Sequence, residues 1–204
     1  MTTKPEILVS LPSEGWVRVE IAHWLAALTH DARFNVSTIM PLVRPYENAL
    51  NYVALAMRKG PFAYWLNMDA DNPPTNNPLY YVDADKDFIG FPTPVWKVYA
   101  GRCELSINAP PPESATLQPV EWVGSGCFLV ARRVIDAIRR PFERTVDEDG
   151  IVKAGPDINF CRKMRAAGFQ PWCAWDNRCS HFREVDLGLL VEMRGNAEPI
   201  VHRN

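Results

Sequence analysis

One apolar segment that ends in two carboxylates and two prolines constrains the fold of this chain more than any other stretch. The apolar run covers residues 63–68 and is followed directly by the sequence DADNPP, in which Asp69 and Asp71 stand one residue apart. A run this short, bounded by residues that break regular structure, predicts a buried strand. Proline cannot donate to a β-ladder, so the strand must end before the two prolines. Both carboxylates are therefore expected at the carboxyl end of a core strand.

Two interpretations of these carboxylates are open at this point. Open α/β sheets bind their ligands at the carboxyl ends of their strands. Two hard oxygen donors placed there suit Mg²⁺ or Mn²⁺ holding a phosphorylated ligand. Asp, Asn and Pro are also frequent turn residues, so an acidic turn that binds nothing is the alternative.

The segments before this strand alternate between strands and helices. Residues 6–11 and 34–40 are predicted as strands, and the apolar residues within 17–28 recur at helical spacing. A second helix around residues 50–57 ends at a Gly–Pro pair. The order strand–helix–strand–helix–strand with short loops predicts a mostly parallel sheet with right-handed crossovers.

The second half of the chain has shorter predicted elements. In chain order they are a helix near 78–82, a strand at 87–91, extended chain at 98–108, a proline-rich loop at 109–119, a strand at 120–123, an apolar run at 127–130, a helix at 132–140, a hairpin at 145–153, a helix at 156–167, a strand at 169–175 and a helix from Leu187. Gly168 and a proline in the first helical turn are the expected ends of the helix at 156–167.

Length and composition restrict the class of protein further. A chain of 204 residues suits one domain with a substantial core. The net charge of −2 provides no general positive field for nucleic acid. The five cysteines are odd in number and lack paired CxxC spacing, which predicts reduced thiols and a cytoplasmic protein. No apolar stretch reaches the length of a signal peptide or a membrane span.

The motifs, taken together and in order, resemble one known family. They are a strand and loop at residues 7–12, DxD–Asn–Pro at 69–73, Gly–x–Gly–Cys at 124–127, Asp–x–x–Phe–Cys at 157–161 and Cys–x–His at 179–181. This set is similar to the GT-A nucleotide-diphospho-sugar transferases, in particular the short phage and bacterial members of the inverting family 2. The resemblance spans residues 7 to about 190. It implies a single-domain, Rossmann-like α/β fold with a mostly parallel sheet flanked by helices. A nucleotide-binding half would cover about 1–95 and an acceptor and catalytic half about 96–204, in the cytoplasm of a bacterium or a phage-infected host cell.

The same resemblance implies a metal-dependent, inverting transfer of a sugar from a UDP-linked donor to an acceptor hydroxyl. A divalent ion, Mn²⁺ or Mg²⁺, would neutralise the charge that builds on the departing diphosphate. Asp71 is the implied direct ligand, Asp69 the implied ligand or ribose partner, and His181 the implied third metal-site residue. A surface or helix-capping histidine is the alternative for His181.

The donor-binding residues implied by the resemblance lie in the loop after the first strand, in the acidic segment (residues 69–74) and at the paired glycines. They are Ser10, Pro12, Asp69, Gly124, Ser125 and Gly126. Backbone without bulky side chains can approach a sugar or a phosphate closely, and a plain tight turn explains the two glycines equally well.

Asp157 is the implied catalytic base. Alignment on Phe–Cys places it on the carboxylate that deprotonates the acceptor in inverting members, while Pro156 and Asn159 replace the flanking acids. A carboxylate at a helix start is also favoured by the helix dipole, so a structural role is the alternative. A second departure is Asn51, which follows leucine where relatives often have arginine. Arg44 is either a substitute for that arginine or a solvated loop charge.

The acceptor is not identified by the sequence. A glycan, a small molecule or a hydroxymethylated base of phage DNA would each offer a hydroxyl, and the base would have to be flipped out of a duplex. Five arginines between residues 132 and 144 form either a solvated face or a site for an anionic acceptor. Trp96 is the expected stacking platform for an acceptor, whereas Trp65 is expected to pack in the core.

Two other functions compete with sugar transfer. A nucleotidyltransferase on the same fold is disfavoured because residues 10–15 contain one glycine and no basic residue to hold a triphosphate. A non-catalytic module that binds a nucleotide sugar is the second alternative, which the presence of Asp69, Asp71, Asp157 and His181 disfavours.

Overall fold

In the part of the chain that the computed structural model describes, residues 4–97 and 102–183, a seven-stranded mixed sheet forms the centre of the protein. In chain order the strands are β1 (Glu6–Ser10), β2 (Asn35–Ile39), β3 (Tyr64–Met68), β4 (Phe88–Gly90), β5 (Pro94–Lys97), β6 (Arg102–Leu105), β7 (Leu117–Pro119), β8 (Cys127–Ala131), β9 (Thr145–Val146), β10 (Val152–Ala154) and β11 (Pro171–Ala174). The helices are α1 (Val19–Thr29), α2 (Tyr46–Lys59), α3 (Arg132–Ala137) and α4 (Pro156–Ala166), with a 3₁₀-helix at Pro78–Ala84.

The strand directions make the sheet mostly parallel. Its order is β2–β1–β3–β8–β4–β11–β7, and among these described strands β8 and β7 alone run antiparallel to their neighbours. β1 pairs with β3 in parallel register from Ile7–Tyr64 to Ser10–Asn67. These strands therefore end side by side, and the loops that follow them meet at one end of the sheet.

Apolar side chains cover both faces of the sheet. On one face an aromatic cluster packs beneath α2, α3 and α4, and the rings of Trp65 and Phe128 meet edge to face with centroids 5.0 Å apart. On the other face Leu66 and Met68 pack with apolar residues of α1 and the 3₁₀-helix. Because successive side chains of a strand point to opposite faces, β3 supplies both clusters, and its residues 65–68 are buried.

The first half of the chain folds as the sequence predicts. β1, α1, β2, α2 and β3 lie at or near their predicted positions, and Gly60 follows the end of α2. Trp65 is fully buried, which confirms its predicted packing role. The predicted hairpin is β9–β10, with Gly150 at φ 79°, and α4 begins at a proline and is followed by Gly168 at φ 86°.

One predicted strand is wrong. Residues 120–123 belong to no strand, and Val123 makes only an isolated bridge to Ile107. The strand lies instead at β7, inside the predicted proline-rich loop, where it forms the edge of the sheet beside β11. Proline is tolerated in an edge strand because one side of the strand needs no hydrogen-bond donor. The helix predicted from Leu187 lies outside the described residues.

The two predicted halves of the chain contribute to the same sheet. β8 comes from the second half and is inserted between β3 and β4 of the first half, and β11 extends the sheet beyond β4. All five cysteines lie in the described residues and are free thiols, four of them buried. Among the described residues, no helix combines the length and apolar character needed to cross a membrane.

Candidate functional site

Two adjoining cavities lie at the carboxyl ends of β1 and β3. The smaller has a volume of about 240 Å³ and extends to Tyr46 at the start of α2. The larger has a volume of about 830 Å³ and extends to Arg18 before α1. Trp16, Asp71 and Arg183 line both cavities, so the two form one groove that crosses the acidic segment. The groove has the position at which open α/β sheets bind ligands.

The backbone that follows β11 lies antiparallel against the acidic segment. Ser180 N donates to Pro73 O and Phe182 N donates to Asp71 O, each at 3.0 Å. A proline carbonyl can accept but a proline nitrogen cannot donate, so the later segment supplies the donors at these positions. This pairing brings His181, between Ser180 and Phe182, to the acidic segment.

A buried asparagine holds the start of the later segment. Asn177 is fully buried, its Oδ1 accepts from Asn76 N at 2.8 Å, and its Nδ2 donates to Asn76 O at 3.0 Å. The amide side chain thus takes the place of a peptide group opposite Asn76. Each bond contributes about 1 kcal/mol net, so the pair joins the two loops firmly.

The imidazole of His181 faces the carboxylate of Asp71. His181 Nδ1 lies 2.6 Å from Pro94 O and donates to it, so in the neutral ring the lone pair is on Nε2. Nε2 is buried, has no hydrogen-bond partner and lies 3.5 Å from Asp71 Oδ2. The carboxylate raises the pKa of His181. A lone pair directed at a carboxylate is stable only with a proton or another cation between the two atoms.

Asp71 is also paired with an arginine. Arg183 Nη1 lies 3.2 Å from Asp71 Oδ2. Burial would raise the pKa of Asp71, but the adjacent imidazole of His181 and the positive charge of Arg183 lower it below its usual value. Asp71 is therefore an anion in a nearly buried position with cationic neighbours.

This geometry fits a divalent ion with few protein ligands. The orphaned Nε2 of His181 and the Oδ2 of Asp71 could contribute two ligands. Within the described residues, no group of three or more His, Cys, Asp or Glu side chains is arranged to hold a metal. Mg²⁺ commonly binds one or two protein carboxylates and completes its shell with water and substrate phosphates, so the small ligand set is compatible with it.

Asp69 has a different environment from Asp71, although one residue separates them. Its Oδ1 accepts from Tyr46 Oη at 2.7 Å and from Asn67 Nδ2 at 3.1 Å. Burial raises the pKa of Asp69 to about 7, and the hydrogen bonds from Tyr46 and Asn67 oppose this rise. Asp69 lines the smaller cavity and is held by neutral donors.

Ser10 belongs to the support of Asp69 and does not line the groove. Its hydroxyl is buried, accepts from Trp65 Nε1 at 2.7 Å and donates to Asn67 Oδ1 at 2.7 Å. A chain of hydrogen bonds thus runs from the core indole through Ser10 and Asn67 to Asp69. Pro12, also predicted to bind donor, does line the smaller cavity.

The Gly124–Ser125–Gly126 turn lies against the acidic segment through its backbone. Ser125 O accepts from Asn67 Nδ2 at 2.9 Å, and Gly126 O accepts from Asp69 N at 2.8 Å. Protein side chains fill the space beside both glycines. A Cβ on Gly124 would lie 2.4 Å from a serine hydroxyl, and one on Gly126 would lie 2.9 Å from an asparagine amide nitrogen. Close packing within the protein thus requires both glycines.

Asp157 lies in the first turn of α4 and lines neither cavity of the groove. Its Oδ1 accepts from Ile158 N at 2.9 Å, as expected for a carboxylate near a helix start. The structure therefore does not bring Asp157 together with Asp69, Asp71 and His181 through any cavity described here. Asn51 is likewise engaged elsewhere, since its side chain bonds both N and O of Phe142.

Sequence reasoning missed Trp16, Tyr46 and Arg183. Trp16 is 53% exposed and lies at the junction of the two cavities. Its backbone N–H donates to Ser13 Oγ at 3.0 Å. Trp16 lies in the loop between β1 and α1, distant in sequence from the acidic segment, so no local sequence pattern indicates its place in the groove. Tyr46 could have been noticed as a polar aromatic residue shortly before the helix predicted around residues 50–57.

Comparison with known proteins gives a likeness of fold. No family model and no curated protein matches the chain. Among solved structures, the chain is similar to A197 from STIV, with a TM-score of 0.61 and 14% identity over 88% of this chain and 86% of that chain. A second match is HddC from Yersinia pseudotuberculosis, solved in complex with GMP-PN, with a TM-score of 0.34 and 10% identity over 65% of this chain and 79% of that chain. The first likeness supports a shared α/β fold, and the second is too low to carry an argument.

Proposed function

We propose that the protein is a metal-dependent glycosyltransferase of the GT-A type. It would move a sugar from a nucleotide-diphosphate sugar, UDP-linked, to an acceptor hydroxyl with inversion at the anomeric carbon. The observation that carries this proposal is the Asp71–His181 pair, with its 3.5 Å separation and its orphaned Nε2, beside a groove at the ends of parallel strands. When bound, Mn²⁺ or Mg²⁺ would supply positive charge to the departing diphosphate.

In this proposal, different residues of the chain bind the ion, the ribose and the base or sugar. Asp71 and His181 would hold the ion. Tyr46 and Asn67 keep one oxygen of Asp69 occupied, which leaves its other oxygen for a ribose hydroxyl. Trp16 presents an exposed ring at the centre of the groove, where it would stack on the base or the sugar. The donor would thus contact the fixed carboxylates of Asp69 and Asp71 on one side and the exposed ring of Trp16 on another.

A thermal-shift screen tests the donor and the metal together. UDP-, GDP- and dTDP-sugars are added with and without Mn²⁺, and one donor class should raise Tm only when the ion is present, because a ligand stabilises the state it binds. Sugar transfer should then stop in excess EDTA. Full activity in EDTA, or a rise in Tm with a nucleotide sugar that is the same with and without Mn²⁺, would refute the metal-dependent proposal.

The two carboxylates of the acidic segment should respond differently to substitution. Asp71→Ala removes the carboxylate that pairs with His181, so it should weaken ion-supported donor binding more than Asp69→Ala. Calorimetric titration of UDP in the presence of Mn²⁺ compares the two variants. The reverse order would show that their roles are exchanged.

The base role of Asp157 is a proposal from sequence alone. As a base, Asp157→Asn should still bind donor and ion but should transfer sugar more slowly by roughly 10²- to 10⁴-fold. As a helix-capping residue only, the same variant should keep most activity and lose about 0.3–1 kcal/mol of stability. Asp149→Asn, on the exposed hairpin turn, is a matched control. Product with retained anomeric configuration would refute the inverting mechanism.

The arginines near α3 give little support to a DNA acceptor. The Arg132 guanidinium donates to backbone carbonyls, including Gly60 O at 2.6 Å, and Arg144 pairs with Glu47 at 3.0 Å. The net charge of −2 likewise provides no general positive field for a DNA duplex. A glycan or small-molecule acceptor is therefore favoured, and a panel that includes hydroxymethylated DNA decides between them. Nucleotidyl transfer would be recognised in the same assays by release of pyrophosphate.

A further inference from the structure

Arg183 occupies the position of a cation beside Asp71. Its Nη1 is 3.2 Å from Asp71 Oδ2, the oxygen that also lies 3.5 Å from His181 Nε2. The side chain of Asp71 is 12% exposed, whereas that of Arg183 is 64% exposed. The carboxylate is thus held in place, and the guanidinium reaches it from the solvent side. Arg183 can leave Asp71 without disturbing the core.

We propose that Arg183 is an exchangeable counter-ion of the site. It neutralises Asp71 in the ligand-free protein, gives up this carboxylate when a divalent ion binds, and then pairs with the diphosphate of the donor. The inference rests on the proposed function and adds the residue that recognises the diphosphate. A close ion pair between Arg183 and the Asp71 oxygen that ligates the ion would place two cations in contact, and their repulsion favours exchange.

The position of Arg183 suits both of its partners. It lines both cavities at their junction, so a guanidinium released from Asp71 remains inside the groove. Its planar set of N–H donors can bond two phosphate oxygens at once, which an ammonium group cannot do with the same geometry. A diphosphate bound next to the ion would therefore meet the guanidinium after only a rotation of the side chain.

The two other arginines that line the groove are differently placed. Arg44 pairs with Glu14 at 2.8 Å, and both side chains are largely exposed. Arg18 lies over the ring of Phe182 at 4.0 Å and pairs with Glu20 at 3.4 Å. Each is paired with an acidic residue other than Asp71, so neither would be freed by an ion that binds Asp71.

The first arm of the test uses Mn²⁺ alone. Binding is followed by the electron paramagnetic resonance signal of free Mn²⁺, without nucleotide, for the wild type, Arg183→Gln and Arg44→Gln. Removing the competing cation should make Arg183→Gln bind Mn²⁺ roughly two- to tenfold more tightly. Arg44→Gln removes the same charge from the rim of the groove without touching Asp71, and its affinity should change less than twofold.

The second arm uses UDP at saturating Mn²⁺, measured by calorimetry. Arg183→Gln should bind UDP roughly tenfold more weakly, because a charge-assisted contact with the diphosphate is lost. Arg183→Lys should recover part of this loss, since it keeps the charge but not the planar donors. Tighter ion binding together with weaker nucleotide binding is a pattern that a plain surface ion pair does not produce.

Each outcome decides the inference. Equal or weaker Mn²⁺ binding by Arg183→Gln, or no Mn²⁺ binding by either protein, overturns the exchange. Tighter Mn²⁺ binding with unchanged UDP affinity overturns the transfer of Arg183 to the diphosphate. A gain in Mn²⁺ affinity with no response to any nucleotide sugar would instead reject the proposed function while the exchange at Asp71 stands.

Discussion

Replacing Asn177 with alanine tests how the segment after β11, which carries His181, is held against the acidic segment. The change removes two hydrogen bonds between the buried side chain and the backbone of Asn76. At about 1 kcal/mol each, their loss should lower the free energy of unfolding by about 2 kcal/mol. Asn76 is exposed, so its freed backbone groups regain water and add no large further penalty. For a chain of this length, Tm should fall by about 4–8 °C.

Urea unfolding measures the free energy of unfolding of Asn177→Ala, and Mn²⁺ titration measures the effect of the substitution on ion binding. The control is Asn35→Ala, an exposed asparagine with one side-chain bond to Glu6, which should change stability by no more than about 0.5 kcal/mol. Asn177→Ala should also weaken Mn²⁺ binding, because His181 follows on the released segment. A stability loss below about 0.5 kcal/mol refutes the bonding argument. A full loss with unchanged Mn²⁺ affinity refutes the link to the site.

Three further substitutions probe separate parts of the structure. Tyr46→Phe removes the hydroxyl 2.7 Å from Asp69 and should weaken UDP binding roughly five- to tenfold in calorimetry, and equal affinity would exclude a positioning role. Arg33 lowers the pKa of Asp31 to about 2 through a hydrogen bond, so this carboxylate stabilises the fold above about pH 4 and loses that effect as the pH falls towards 2. Wild type and Asp31→Asn should differ by roughly 1 kcal/mol at pH 7, after allowance for solvent screening, and a difference that persists at pH 2 in urea unfolding would contradict this. Gly124→Ala places a Cβ 2.4 Å from a serine hydroxyl and should cost about 1–3 kcal/mol in the same assay, whereas a neutral effect would show that the turn adapts.

The elements that sequence reasoning predicted well are those determined by local patterns. β3 is a short apolar run followed by two prolines. The helices before it have apolar residues at helical spacing, and α2 ends at Gly60. The acidic segment follows β3 directly, so its place at the carboxyl end of a core strand needed no knowledge of distant contacts. The same holds for the hairpin around Gly150, where a turn dipeptide marks the connection.

The errors and omissions arise where distant contacts decide. Residues 120–123 contain two buried valines and look like a strand, yet the edge position beside β11 is taken by Leu117–Pro119 through pairing with Trp172 and its neighbours. The glycines of the 124–126 turn indicate close approach, but the sequence does not say that protein side chains fill the space. His181 reaches Asp71 only because a segment after the last strand pairs with the acidic segment.

The two carboxylates of the acidic segment show how one short motif acquires two electrostatic environments. Placed side by side in the same environment, two buried anions would repel each other, and one would be protonated. The fold surrounds Asp69 with the neutral donors of Tyr46 and Asn67 and places Asp71 on the cationic side of the groove. Burial then raises the pKa of Asp69 to about 7, whereas His181 and Arg183 lower that of Asp71. Opposite pKa shifts in neighbouring carboxyl groups let one remain an anion while the other can exchange a proton near neutral pH.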